Sequence, residues 1–151
     1  MSQGAQEPGS RPRTPPAIPS DMKAFNQAVI ADFRATGGRL SGQMAGRSVL
    51  LLTTTGARTG QPRTTVLGFG RHGDGYVVIA SNNGARSDPA WYHNLVANPL
   101  AIVEVGQERL EVRARTAAPE ERAELAAAVP YLESQQKLTE RVIPVVVLER
   151  V

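Results

Sequence analysis

The segments of this chain that can form strands are joined by connections too short to be anything but turns. The apolar run "SVLLLTT" at 48–54 is followed by "GARTGQP" and then by "RTTVLGFG" at 63–70. "GYVVIAS" at 75–81 is entered through the turn "HGDG", and "LAIVEV" meets "RLEVRAR" across "GQE". Parallel neighbours need a crossover of about a dozen residues or more, so strands joined this closely pair antiparallel. With "IPVVVLE" near the end, the reading is six strands, mostly hairpin-connected, with three to four helices between them. No regular crossover helices alternate with the strands, and no GxGxxG follows the first. The pattern argues for an α+β domain built on a small antiparallel barrel, not a doubly wound sheet.

The helices have local signatures. Ser20 reads as an N-cap with Asp21 in the first turn, opening a helix over 20–36. Met22, Phe25, Val29, Ile30 and Phe33 recur at helical spacing, and Gly37-Gly38 stop the run. That stripe packs on the core, or else docks on a membrane surface or a partner. Ser87-Asp88-Pro89 opens a second helix through "PAWYHNLVAN", which stops at Asn98-Pro99. "APEERAELAAAV" reads as a further amphipathic helix. Residues 1–19, rich in Pro, Gly and Ser, cannot bury enough to offset ordering, so a disordered tail precedes a single domain over 20–151.

Composition narrows the chemistry. The 151 residues include no cysteine, which removes disulfides, thiolate metal sites and a Cys nucleophile. His72 and His93 are the only histidines, too few for a familiar zinc site, and no metal is expected. No apolar run reaches membrane-spanning length and no signal-peptide core opens the chain, so a cytoplasmic protein is expected. The net charge of +3 is modest but unevenly placed. Between Asp32 and Asp74 there is no acidic residue, while Arg34, Arg39, Arg47, Arg58, Arg63 and Arg71 all fall there. Such a block is either an anion site or a solvated basic face. Arginine without lysine, few aromatics and no known motif argue against nucleic acid.

Two stretches can carry a ligand. In "TTTGARTGQPR", Arg58 and Arg63 flank a hairpin loop in which Gly56 and Gly60 permit close approach or positive φ. Thr55 and Thr59 add hydroxyls, and successive loop N–H groups can cradle an anion, with arginine forks suited to phosphate. In "IASNNGARSDPAWYHNL", Ser81-Asn82-Asn83-Gly84 offer donors and acceptors to the edge of a planar heterocycle. Trp91, Asn94 and Leu95 share one face of the following helix. An ordinary polar hairpin and a core tryptophan would read the same way. No nucleophile elbow or triad spacing is present, so an enzyme built on these residues borrows its chemistry from a cofactor.

"LLLTTTGARTGQPRTTVL", "VVIASNNGARSDPAWYHNLVANP", "APEERAEL" and "TERVIPVVVLE" occur in that order over 46–151 and together resemble the deazaflavin-dependent nitroreductase family. The resemblance implies a split β-barrel that binds coenzyme F420, an 8-hydroxy-5-deazaflavin with a phosphate and an acidic oligoglutamate tail. It would transfer a hydride to a quinone, an activated enone or a nitroaromatic. By the match, Arg58, Thr59 and Arg63 hold the phosphate beside Thr55 and Thr65, and Arg47 or Arg39 meets the tail. Ala80, Ser81, Asn82, Asn83 and Gly84 edge the ring, while Trp91, Asn94 and Leu95 shape its pocket.

The acceptor side falls on Phe69, Tyr131, Leu132 and Gln135. Ser81 and Tyr131 are the catalytic candidates, with Tyr92 and His93 as further proton donors. Family members often carry a basic residue where Ala57 stands here and a lysine near Asn82, and the family's nitroimidazole-activating nitroreductase has tyrosines where Val129, Leu132 and Gln135 stand. The cofactor half therefore matches better than the acceptor half. An FMN-binding split barrel and a non-catalytic deazaflavin carrier are the rival readings. The chain is expected as a monomer or homodimer, with peripheral contact at the inner face of the cell membrane through helix 21–36 as a further use of that helix.

Overall fold

A computed structural model describes residues 22–40, 48–82 and 85–151. The tail, Ser20, Asp21, Arg47, Asn83 and Gly84 lie outside the described residues. The elements run α1 (Met22–Thr36), β1 (Val49–Thr55), β2 (Pro62–Gly68), β3 (Gly70–His72), β4 (Gly75–Ile79), α2 (Ala90–Ala97), β5 (Leu100–Val105), β6 (Glu108–Thr116), α3 (Arg122–Ala126), α4 (Leu132–Gln136) and β7 (Val145–Arg150). The sheet order is β2-β1-β5-β6-β7-β4-β3, every neighbour antiparallel. Its two edge strands, β2 and β3, are consecutive in the chain and separated only by Phe69. A sheet whose opposite edges are one residue apart must curl back on itself, and the result is a split barrel.

Among the described residues there are seven strands where six were expected, because 63–70 does not run as one strand. The chain leaves β1 at Gly68 and pairs anew with β4 from Gly70, which opposes Val77. Glycine makes the switch possible: a Cβ on Gly70 would lie 2.0 Å from the Ala128 carbonyl oxygen, and one on Gly68 would lie 3.0 Å from the Tyr131 hydroxyl. The helix expected over "APEERAELAAAV" is also shorter than its pattern. Only 122–126 is helical, and α4 begins beyond Pro130. Proline cannot continue a helix and disfavours helical backbone in the residue before it.

The continuous apolar runs are strands covered on both faces. Along β4 and its exit, Tyr76, Val78 and Ala80 point into the barrel, while Val77 and Ile79 pack beneath α3 and α4. In β7, Val146 and Leu148 face inward and Val145 and Val147 outward. In β1, Leu50 and Leu52 fill the barrel, while Leu51 meets Val29, Phe33 and Leu40. The apolar stripe of α1 is thus buried on the sheet, with Phe25 and Ile30 half-buried beside it. Arg34 fixes the helix further, its Nε and Nη2 donating to the two carboxylate oxygens of Glu104 at 3.0 and 2.7 Å. Among the described residues, no helix is long and apolar enough to cross a membrane.

Candidate functional site

The register places the β1–β2 loop, the exit of β4 and the start of α2 at one end of the barrel. Thr55 opposes Pro62 to close the hairpin. Beyond them Gly56 donates to the Gln61 carbonyl at 2.8 Å and Gly60 donates to the Gly56 carbonyl at 2.9 Å. Gly60 is in the left-handed region at φ +71, where a side chain would be strained. A Cβ on Gly56 would lie 2.7 Å from Thr59 Oγ1, which itself accepts the Gln61 N–H at 3.1 Å. The loop is therefore a tight bend with its own bonds satisfied.

Asn94 of α2 pins that bend to the helix. Its side chain is 8% exposed; Nδ2 donates to Thr54 Oγ1 at 3.0 Å and Oδ1 accepts the Ala57 N–H at 2.9 Å. Between loop and helix lies a groove of about 590 Å³. Arg58, Thr59, Arg63, Thr65, Trp91 and Asn94 line it, and among the described residues no carboxylate does. Arg63 and Thr65 share the inward face of β2, being opposite Thr54 and Leu52. Among the described residues, Arg34, Arg115, Arg141 and Arg150 pair with acidic side chains, whereas Arg58 and Arg63 have no protein partner. Two uncommitted guanidinium forks over an acid-free, partly apolar groove fit a phosphate-bearing, aromatic ligand.

Some assigned residues sit elsewhere. Leu95 belongs to the barrel core, and Thr55 closes the hairpin without lining the groove. Thr64, Pro89 and Ala90 line it and were not assigned, and His93, read only as a proton-donor candidate, lines it too. Thr64 looks outward by strand alternation, its hydroxyl 2.8 Å from that of Thr53, so period-two reasoning passes over it. At the β4 exit, Ala80 is buried, and Asn82 takes φ +50 with its Nδ2 donating to the Ser87 carbonyl at 3.1 Å. Asparagine is among the few side chains that tolerate that backbone. The carbonyls of Ala80 and Ser81 are held by Arg141, a residue to which the sequence reading gave no role.

The residues read as the acceptor side lie about 17 Å further along β2, at the β2–β3 junction, taking ~3.4 Å per residue from Arg63 to Gly68. Phe69 meets Tyr76 edge-on at 5.6 Å, and the Arg71 guanidinium lies over both rings. Tyr131 sits against Gly68, and burial pushes its phenol up to about 12. Leu132 is buried beneath β4 and β7 and forms part of the core. Gln135 Oε1 and Tyr76 Oη are buried without hydrogen-bond partners.

Fold and groove together are those of a split barrel with an arginine-lined, partly apolar groove suited to an anionic aromatic ligand. Residues 26–150 match the family model described as F420H(2)-dependent quinone reductase. The chain belongs to that family, and with it to the oxidoreductases that use coenzyme F420. It is 43% identical over 128 residues to an F420H(2)-dependent quinone reductase of Mycobacterium tuberculosis, covering 80% of this chain and 86% of the relative. A solved F420-H2 dependent reductase superposes with a TM-score of 0.61 at 37% identity, over 68% of this chain and 95% of that one. A second solved structure, a domain-swapped dimer, gives 0.63 at 33% identity, over 82% and 93% of the two chains.

Proposed function

We propose that this protein reduces quinones with F420H2, holding the cofactor phosphate in the groove between the β1–β2 loop and α2. The observation that carries the reading is the pair of unpartnered arginines, Arg58 and Arg63, in a lining without a carboxylate. Each can donate two parallel hydrogen bonds to one phosphate. Thr59 and Thr64 add hydroxyls, and Trp91 gives an apolar wall. Ser81 and Asn82 stand at the same barrel end, where they can edge a ring.

When bound, the reduced deazaflavin supplies a hydride from its C5. The chain supplies placement and a dry surface. Phe69 and Tyr131, both at the β2–β3 junction, offer aromatic faces suited to a flat carbonyl compound. Tyr131, a phenol and so protonated at neutral pH, serves as a hydrogen-bond donor to a carbonyl oxygen. A ligand reaching from Arg63 towards Gly68 has to be elongated, as a ring carrying a phosphate chain is.

The test is a fluorescence titration of the apo-protein with F420 beside FMN, followed by F420H2 oxidation with menadione. F420 is expected to bind at micromolar concentration or tighter, and FMN far more weakly. Replacing Arg58 and Arg63 by Ala removes charge-assisted bonds worth about 1.5–3 kcal/mol each, so affinity drops by at least ~100-fold. Unchanged affinity in the double variant removes the phosphate assignment, and a preference for FMN removes the cofactor assignment for this groove.

A further inference from the structure

Arg141 lies between α4 and β7 and reaches a loop 53 to 61 residues earlier in the chain. Its Nε–H donates to the Ala85 carbonyl at 2.8 Å. Nη2 donates to the carbonyls of Ala80 at 3.0 Å and Ser81 at 2.7 Å, and Nη1 donates to Asp88 Oδ1 at 2.6 Å. The side chain is only 17% exposed, so water is a poor substitute for it. The backbone behind it is fixed as well. Gln136 of α4 donates through Nε2 to the Arg141 carbonyl at 2.6 Å and accepts the Ile143 N–H at 3.0 Å, while the Ala80 N–H donates to the Pro144 carbonyl at 3.0 Å.

These contacts gather where the buried β4 exit meets the rim of the groove. Asp88 directly precedes Pro89, and Pro89, Ala90 and Trp91 line the groove. Ala80 and Ser81 form the β4 exit, and the Ala85 N–H closes back on the Asn82 carbonyl at 3.0 Å. Only a guanidinium presents enough donors in one plane to serve four acceptors from three directions; an ammonium has three donors on one atom.

We infer that Arg141 is a positioning residue: it clasps the β4 exit and the start of α2 together, so that the α4 segment beside the acceptor surface sets the shape of the cofactor groove. The identity of the ligand rests on the F420 reading, whereas the clasp itself does not.

The experiment compares the full-length wild type with Arg141→Ala, Arg141→Lys and Asp88→Asn. The readouts are amide exchange in the apo-protein and F420 binding by fluorescence. In Arg141→Ala the Ala85 amide is expected to exchange at least tenfold faster while those of Val78 and Val146 in the core keep their protection, and the Kd for F420 rises tenfold or more. Arg141→Lys falls between Ala and wild type. If Arg141→Ala does not fold, Asp88→Asn, which leaves the backbone contacts in place, is expected to move both readouts in the same direction by a smaller factor. A Kd within twofold of wild type, or equal acceleration of loop and core amides, overturns the inference and leaves Arg141 a general stabiliser. Should the wild type itself fail to bind F420, the proposed function falls, and the exchange of Ala85 relative to the core still decides the clasp.

Discussion

Asn94 joins helix, strand and loop through one side chain, and its replacement by Ala tests that junction quantitatively. The amide makes two bonds, to Thr54 Oγ1 at 3.0 Å and from the Ala57 N–H at 2.9 Å. Ala57 is exposed, so its freed N–H turns to water and the loss there is about 1 kcal/mol. Thr54 is 2% exposed, so its hydroxyl is stranded at a cost of about 1–3 kcal/mol. Asn94→Ala is therefore expected to lose about 2–4 kcal/mol, a sizeable part of the 5–15 kcal/mol that holds a typical domain. Urea unfolding reads this as a lower midpoint at constant slope. The sharper expectation is a sign. Adding Thr54→Val removes the stranded hydroxyl at similar volume, so the double variant should be at least as stable as Asn94→Ala alone. If the two single losses simply add, the pairing between Asn94 and Thr54 contributes nothing and the reasoning fails.

Two further expectations follow from named contacts. Gly70→Ala puts a Cβ about 2.0 Å from the Ala128 carbonyl, forcing backbone to move, and should cost more than ~3 kcal/mol, whereas Gly60→Ala meets nothing within 4 Å and should cost only the ~1–2 kcal/mol of a left-handed residue. Melting temperatures of the two variants in one buffer check the order, and a reversed order rejects it. Burial raises the Tyr131 phenol from 10.0 to about 12, so ionisation favours the unfolded chain first. Its contribution is fully present below pH ~10 and is lost as the pH climbs towards 12. The wild type should therefore lose stability over that window more steeply than Tyr131→Phe, and parallel pH–stability curves would reject the assignment.

Much of the barrel was legible because its strands are unusual in one useful way. "LLL" in β1, "YVVIA" at β4 and "VVVL" in β7 are buried on both faces, so each reads as an unbroken apolar run. Short glycine-bearing connections then left no pairing except an antiparallel one. What escaped were breaks that no local pattern records. Gly68-Phe69-Gly70 looks like strand, and the switch of partner there depends on Ala128 and Tyr131, about sixty residues on. The fragmenting of the 118–129 helix depends on Pro130, at the very end of the pattern that suggested it.

The same division explains which parts of the site could be read. Charge is visible in a string of letters: two arginines around a glycine-bent loop with no acid for forty residues mark an anion site or a solvated basic face, and the fold adds that both arginines line one groove. Asn94 and Trp91 line one groove because helical spacing sets them on one face. A clasp has no such signature. Arg141 is one basic residue in "TERVIP", indistinguishable from Arg150 until the fold sets three carbonyls and a carboxylate around it. The acceptor surface is harder still, since it is made of shape: Leu132 and Gln135 occupy neighbouring positions on α4, yet one is committed to the core while the other buries an unpaired carbonyl oxygen. Gln136 ties α4 to the Arg141 segment, and Arg141 in turn holds the β4 exit and the approach to α2, so the end of α4 is linked to the rim of the groove lined by Arg58 and Arg63.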